Sequence, residues 1–395
     1  MPGHYFCINC GSSSIKFALY YLGAHEELIA QGAAERIGLS DGWLWLNDGA
    51  GKRLSDLKAQ FPDNNRAIEL IFKQVIEKHN FPAPDAVGHR LAHGGPDHLA
   101  PEIVTPSLMK ELNALISLAP IHLPGELSCI EAVSEHYPQL KQVVCFDTFF
   151  HHQMPEMGKL LPLDYHLKQE GIHRYGFHGL SYEYITGVLG TSVLGRVIIA
   201  HLGSGSSMTA LKDGAPQDTT MGFSPLGGLM MGTRCGDLDP GIILYLMNEK
   251  GYNLSRLQDL LYHHSGLMGV SGTSSDMKTL LDHRVSTPQA AQAIALYCYT
   301  VRKYIGALST VLGGLDMLIF TGGIGERAVP VRWMICHGLE FLGVVLDPHN
   351  NDADADVISA THARCIVRVI PANEDIMIAR HAREILFKSN GGKES

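Results

Sequence analysis

Arg90 and Arg234 each lie in a short glycine-bounded segment, Gly88-His89-Arg90-Leu91-Ala92-His93-Gly94-Gly95 and Met230-Met231-Gly232-Thr233-Arg234-Cys235-Gly236-Asp237. A guanidinium is always charged and can grip an oxyanion through two parallel N–H donors, so two loop arginines suit a transferring phosphoryl group. Glycine- or serine-rich turns at Gly11 to Ser14, Gly203 to Ser207, Gly322-Gly323-Ile324-Gly325-Glu326 and Gly227-Gly228, each read as following a hydrophobic strand, add backbone donors. Glycine lets N–H groups approach a phosphate closely, and consecutive N–H groups form an anion-binding concavity. One such arginine is more often a surface or salt-bridged residue, and one such turn is more often only a turn. Their combination is what points to phosphate chemistry. Histidines number 21, and His122 in Ala119-Pro120-Ile121-His122 and His178 in Tyr175-Gly176-Phe177-His178-Gly179 fall in loops, where a lone histidine is ordinarily structural. No turn fits G-x-x-x-x-G-K-[ST], and Gly203 to Ser207 precedes a strand-like segment, so neither a P-loop nor a dinucleotide fingerprint is present.

The elements that must position these residues alternate between strands and helices. Tyr5 to Cys10 reads as a buried strand and Ile15 to Tyr21 as its returning partner. Val197 to Leu202 and Met208 to Leu211 repeat that order around the second turn. An offset of 192 residues aligns Gly11 with Gly203, Ser12 with Ser204 and Ser14 with Ser206. The match suggests two related halves, although it is short enough to arise by chance. Pro288 to Leu312 is predicted to be a helix, with Ser286-Thr287 as its cap and Pro288 in its first turn, and a second helix is expected from Pro106 to about Leu118. Strand-like runs at Gln142 to Phe146, Met317 to Thr321 and Cys365 to Pro371 end in polar or glycine-rich residues, where ligand loops sit in α/β proteins. The tail Ser389 to Ser395 is expected to fray.

With 395 residues the chain exceeds what a single core usually supports, which favours two domains. Its 45% hydrophobic and 18% charged residues are a globular balance, and a formal charge of −9 offers no broad basic face for nucleic acid or anionic lipid. A bound anion must therefore be small and held locally. Eight scattered cysteines fit reduced thiols in a cytoplasm. The lone C-x-x-C of Cys7 and Cys10 lies on a strand and reads as structural. Neither the start of the chain nor Leu308 to Phe320, broken by Asp316, supports a signal peptide or a membrane span.

From about Phe6 to Ala379 the chain resembles the acetate kinase family, in Asn9-Cys10-Gly11-Ser12-Ser13-Ser14-Ile15-Lys16, Phe146-Asp147-Thr148, Arg174-Tyr175-Gly176-Phe177-His178-Gly179, His201-Leu202-Gly203, Gly232-Thr233-Arg234-Cys235-Gly236-Asp237 and Pro371-Ala372-Asn373-Glu374. The resemblance implies an α/β fold of duplicated actin-like (ribonuclease H-like) ATPase domains with an interdomain active-site cleft. It implies an N-terminal domain of residues 1–147 with a returning helix at 375–395, and a second, nucleotide-binding and dimerising domain at 148–374. The implied reaction is Mg²⁺-dependent, reversible transfer of a phosphoryl group from ATP to acetate, giving acetyl phosphate and ADP by direct in-line attack. Mn²⁺ is an alternative ion. In the resemblance Asn9 and Glu374 are the metal site, and Asp147, His178, Arg234, Arg90 and His122 are catalytic. Arg90, Ala92, Ile121, Phe177 and Pro225 meet the acyl substrate. Ser14, Lys16, His201, Leu202, Gly203, Ser204, Gly205, Asp276, Met277, Lys278, Gly323, Ile324, Gly325, Glu326 and Arg327 form the nucleotide site. A cytoplasmic homodimer that binds ATP, acetate or another short-chain carboxylate, and neither nucleic acid nor membrane, completes the expectation.

The acceptor carboxylate is already ionised at neutral pH, so Asp147 is better read as positioning Mg²⁺, water or Arg90 than as a base. Four positions depart from the family: Ser204 and Leu123 stand where asparagine is common, Lys278 where arginine is common and Arg327 where asparagine is common. They leave nucleotide preference open. Ala92 stands where valine is usual, and the lost methyl volume leaves acetate against propionate open as well, because a methylene discriminates by only ~1–3 kcal/mol. Other readings are a propionate- or butyrate-preferring kinase, a non-catalytic actin-like nucleotide-binding protein, and a sugar kinase, which would need a base for its hydroxyl acceptor.

Overall fold

Strand β1 (Gly3–Cys10) is buried along almost its whole length, as expected of a central strand covered on both faces. It pairs antiparallel with β2 (Ser14–Leu22) and parallel with β6 (Ala86–Leu91). Strands β3 (Glu26–Glu35), β4 (Trp43–Asp48) and β5 (Arg53–Lys58) extend one side of the sheet, and β8 (Lys141–Phe146) and β7 (Glu102–Ile103) the other, in the order β5-β4-β3-β2-β1-β6-β8-β7. A second sheet holds β9 (Arg196–Leu202), β10 (Ser206–Lys212), β11 (Ala215–Thr219), β12 (Met317–Thr321) and β13 (Ile366–Val369) in the order β11-β10-β9-β12-β13. The computed structural model describes residues 2–11, 13–190 and 194–391. Ser12 of the first glycine-serine turn and residues 392–395 of the tail lie outside them, while the last helix, Glu374–Gly391, includes Ser389.

The chain divides into two compact units, Met1–Phe149 with Asn373–Ser395, and Phe150–Ala372. Each contains the same five-strand pattern. In the first, β3-β2-β1 is an antiparallel meander continued by parallel β6 and β8; in the second, β11-β10-β9 is the meander and β12 and β13 the parallel pair. The repeat is thus one of topology. Its register differs, because Cys10 pairs with Ile15 across the first hairpin whereas Leu202 pairs with Ser206 across the second. The 192-residue offset, which would set His201 opposite Met208, fails past the turn. The second connection is one residue shorter, and His201 faces Ser207 instead.

In the first unit Phe6, Ile8, Phe17 and Leu19 pack with the helices Asn64–Phe72 and Leu123–His136 on one face. The helix Glu374–Gly391 covers the other, where Gly88 leaves no room for a side chain: a Cβ there would lie 2.3 Å from Ile378 Cγ2. In the second unit Ile198, Ala200, Leu202 and Phe320 pack against the long helix Pro288–Leu312. The alternate residues Val197, Ile199 and Ile319 pack against the helix Gly179–Leu189.

Three expectations need correction. The Thr287 side chain makes no capping hydrogen bond at Pro288, and Ser286 Oγ turns back to the His283 carbonyl. The helix from Pro106 ends at Ala114, and Ile116–Leu118 is a separate 3₁₀ turn. Gly227-Gly228 follows no strand directly, since β11 ends at Thr219, and its turn is closed by Asp237, whose Oδ1 accepts from the Gly228 N–H at 2.6 Å.

Candidate active site

Parallel pairing puts Asn9 beside Arg90, and antiparallel pairing puts Asn9 opposite Lys16, so the three side chains share one face at the ends of β2, β1 and β6. That face is the one covered by the helix Glu374–Gly391. Because Ile378 sits on Gly88, one helical turn back brings Glu374 to the level of Arg90, two residues on from Gly88. Arg90 Nη1 donates to Asn9 Oδ1 at 3.3 Å, Nη2 donates to Asp147 Oδ2, and Nε lies 3.7 Å from Glu374 Oε2. Burial works against the Arg90 charge, but Asp147, Glu374 and Glu126 outweigh it and hold the guanidinium above its ordinary value. Asp147 is 1% exposed and is held at its backbone by the Leu91 carbonyl.

Glu126 is a residue that the sequence does not single out. It is 2% exposed, its Oε2 accepts from the Ala92 N–H at 2.9 Å, and its Oε1 has no hydrogen-bond partner. Burial pushes its carboxyl up to about 7 against the pull of Arg90 and of the Ala92 N–H. The signal available was its place four residues after His122, which stands at the N-terminal boundary of the helix Leu123–His136 with its carbonyl accepting from the Glu126 N–H. Ile121 beside it is half-buried and Ala92 buried. Ser14 and Lys16 lie at the start of β2, with the Ser14 carbonyl accepting from Gly11. Asn9 and Glu374 contribute hard oxygen donors, the type that suits Mg²⁺, which is commonly held by one or two protein oxygens with phosphates and water supplying the rest. The donor chemistry fits. Among the described residues no group of three or more His, Cys, Asp or Glu forms a closed metal cage.

In the second unit the turn Gly203 to Gly205 ends β9, and the Thr321–His201 pairing places the start of the helix Gly322–Arg327 beside it. Gly322, at φ 76°, has its Cα packed on the Leu202 backbone, where a Cβ would lie 2.7 Å from the carbonyl oxygen. The expected turn at Gly322 is therefore the first turn of a short helix, and Glu326 Oε1 accepts from the N–H groups of both Gly322 and Ala372. Gly323 and Arg327 are exposed, Ile324 half-buried and Gly325 buried. Gly232 N donates to the Ser204 carbonyl and Gly232 also approaches Ser275, which brings the Arg234 loop and Asp276-Met277-Lys278 to the same turn. Asp276 caps its helix through Thr279, Met277 is buried in the core, and Lys278 is exposed.

Arg234 Nη1 donates to the Pro225 carbonyl at 2.8 Å, which directs the other nitrogen toward Gly205. A Cβ on Gly205 would lie 3.2 Å from Arg234 Nη2 and 3.3 Å from His178 Nε2, so glycine here keeps both groups against the turn. His178 is held in the left-handed region at φ 58°, a strained backbone that costs about 1–3 kcal/mol and collects at functional positions. Phe177 is buried with Met221 and Met231.

The twice-repeated five-strand order defines a duplicated actin-like α/β fold. The chain belongs to the acetokinase family, whose model matches residues 4–380. It is 44% identical to an acetate kinase of Rhodopseudomonas palustris, with 98% of each chain covered. Among solved structures it resembles the acetate kinase of Porphyromonas gingivalis, with TM-score 0.86, 36% identity and 97% and 100% of the two chains covered. It also resembles a propionate kinase from Francisella tularensis, with TM-score 0.89, 32% identity and 96% and 98% covered.

Proposed function

We propose that this protein transfers the γ-phosphoryl group of ATP to acetate, reversibly, giving acetyl phosphate and ADP by direct in-line displacement. The observation that carries the reading is the pair of Arg234 Nη2 and His178 Nε2 facing the Gly203 to Gly205 turn in a chain of the acetokinase family. Phosphoryl transfer leaves little covalent work to the protein; it demands alignment of two anions and neutralisation of charge on the equatorial oxygens. The turn offers backbone N–H groups to the phosphates, Arg234 neutralises charge on the transferring group and His178 donates a hydrogen bond to it. Lys16 and Ser14, with Asp276 to Lys278 and Gly323 to Arg327, serve the nucleotide.

Arg90 binds the acceptor carboxylate, with Asp147 holding it from behind. Ala92 and Ile121 of the first unit and Phe177 and Pro225 of the second serve the acyl group, and His122 is catalytic. Asn9 and Glu374 would hold Mg²⁺, which supplies charge neutralisation to the nucleotide phosphates when bound. Ala92 and the likeness to a propionate kinase favour a second reading, in which the three-carbon acid is also accepted. Hydroxamate trapping of acyl phosphate from ATP, Mg²⁺ and acetate, propionate or butyrate tests the proposal. Product with acetate well above the other acids supports it, a propionate preference replaces the acid, and no product from any acid overturns it.

The proposed partner of the second unit is another copy of this chain. The helix Pro240–Lys250 buries no residue although it carries Ile242, Leu244, Tyr245 and Met247, each more than 40% exposed. So apolar a helix is expected to be covered. Light scattering should give a dimer, and Leu244→Glu with Tyr245→Glu should shift it to monomer; a wild-type monomer would end this part of the proposal. No described helix is long and apolar enough to cross a membrane. All eight cysteines are free, which supports a reducing cytoplasm as the setting.

A further inference from the structure

His178 and His201 are stacked, with ring centroids 4.3 Å apart and planes inclined by 17°. Each is held at Nδ1 by a buried serine that lies beside the other histidine. Ser207, which pairs with His201 across β9 and β10, bonds His178 Nδ1 at 2.8 Å. Ser181, on the helix that begins just after His178, bonds His201 Nδ1 at 2.8 Å. Neither serine has any measurable exposure. Behind Ser207 stands the equally buried Tyr182, whose hydroxyl is hydrogen-bonded to Ser207 Oγ and whose ring meets His151 edge-on. With Nδ1 of each ring occupied, both Nε2 atoms face the same turn: His178 Nε2 is 3.3 Å from the position of a Cβ on Gly205, and His201 Nε2 is 3.9 Å from that of a Cβ on Gly203.

We propose that Ser207 with Tyr182, and Ser181, are positioning residues that lock His178 and His201 as Nε2–H donors aimed at phosphoryl oxygens on the Gly203 to Gly205 turn. The proton order follows from the chemistry of the groups. A phenol is a stronger donor than an aliphatic hydroxyl, so Tyr182 donates to Ser207, and Ser207 spends its own proton on His178 Nδ1. The ring proton then resides on Nε2, where a developing negative oxygen can use it. Fixing the ring beforehand removes the reorganisation that a mobile imidazole would need during transfer. The one-residue shortening of the second hairpin makes this arrangement possible, because it brings a serine rather than Met208 opposite His201.

The inference rests on the proposed phosphoryl transfer, and the test separates the two. Ser207→Ala, Tyr182→Phe, His178→Gln and the Ser207→Ala/His178→Gln double variant are compared in the full-length protein by acyl phosphate trapping, with thermal melts alongside. By analogy with groups that orient metal-bound histidines, Ser207→Ala should lower kcat about 10–100-fold and Tyr182→Phe several-fold, with both KM values within about twofold of wild type. The double variant should be no worse than His178→Gln within about twofold, because the serine acts only through that ring. Loss in His178→Gln with wild-type kcat in Ser207→Ala and Tyr182→Phe overturns the lock alone, as does a double variant whose loss multiplies the two single ones. Wild-type kcat in His178→Gln overturns the lock together with the role given to His178. Should Ser207→Ala fail to fold, Tyr182→Phe, which removes one hydroxyl and keeps the ring, decides between these outcomes.

Discussion

Replacing Arg234 by alanine is expected to lower turnover about 10²–10³-fold in folded protein, the size of loss seen when one preorganised transition-state donor is removed. The argument is geometric. Nη1 is committed to the Pro225 carbonyl, and that bond turns Nη2 toward Gly205, alongside His178 Nε2. A guanidinium anchored in this way meets the transferring group without having to be ordered first, which is where charge neutralisation is most effective. Lysine at the same position keeps the charge but cannot hold the Pro225 carbonyl and an oxyanion with one planar fork, so it should recover only part of the loss. Arg234 is half-buried, so thermal melts of each variant are needed to separate lost folding from lost turnover. Steady-state kinetics on all three proteins, with circular dichroism as the control for folding, measure this. Near-normal turnover in a folded Arg234→Ala protein would reject the role.

What the sequence shows by itself is bounded by period and adjacency. Tyr5 to Cys10 and Val197 to Leu202 stand out as strands because continuous apolar runs bounded by turns leave few other readings, and both proved central in their sheets. Arg234 and Gly203 to Ser207 were visible as chemistry because glycine and arginine are unusual where they stand. The contacts between distant residues were not visible. Glu374 reaches Arg90 only because a glycine at position 88 lets Ile378 dock on the sheet, and no local pattern announces that packing; the family resemblance alone named Glu374. Ser207 was in view as a turn residue, yet its real neighbour depended on a one-residue difference between two hairpins. Register decides which face a side chain takes, and a slip of one moves every side chain to the other face. Glu126 escaped for a different reason: its place four residues after His122 was legible, but that this carboxylate is buried follows only once the opposing strand end, here Ala92, is known.

Arg90 carries the second large effect, and there activity and stability can be told apart. Arg90→Met should abolish most carboxylate phosphorylation, by about 10²–10³-fold, and should also destabilise the first unit by about 3–5 kcal/mol, the usual cost of removing one partner from a buried ion pair. The stability loss arises at Asp147, 1% exposed, whose Oδ2 would lose the Nη2 donor while Glu374 lost the nearby Nε. The loss should be greatest where the carboxylates are ionised and should shrink as acid neutralises them, because the penalty belongs to the negative charge that has lost its Arg90 partner. Adding Asp147→Asn to Arg90→Met removes that charge while keeping the shape of the side chain. The double variant should therefore regain much of the melting temperature and none of the turnover, since no guanidinium remains to bind the acceptor. Urea denaturation and acyl phosphate trapping on the single and double variants read the two effects separately. Recovered turnover in the double variant would show that Arg90 serves only to neutralise Asp147, and the acceptor would then have to be bound by another group.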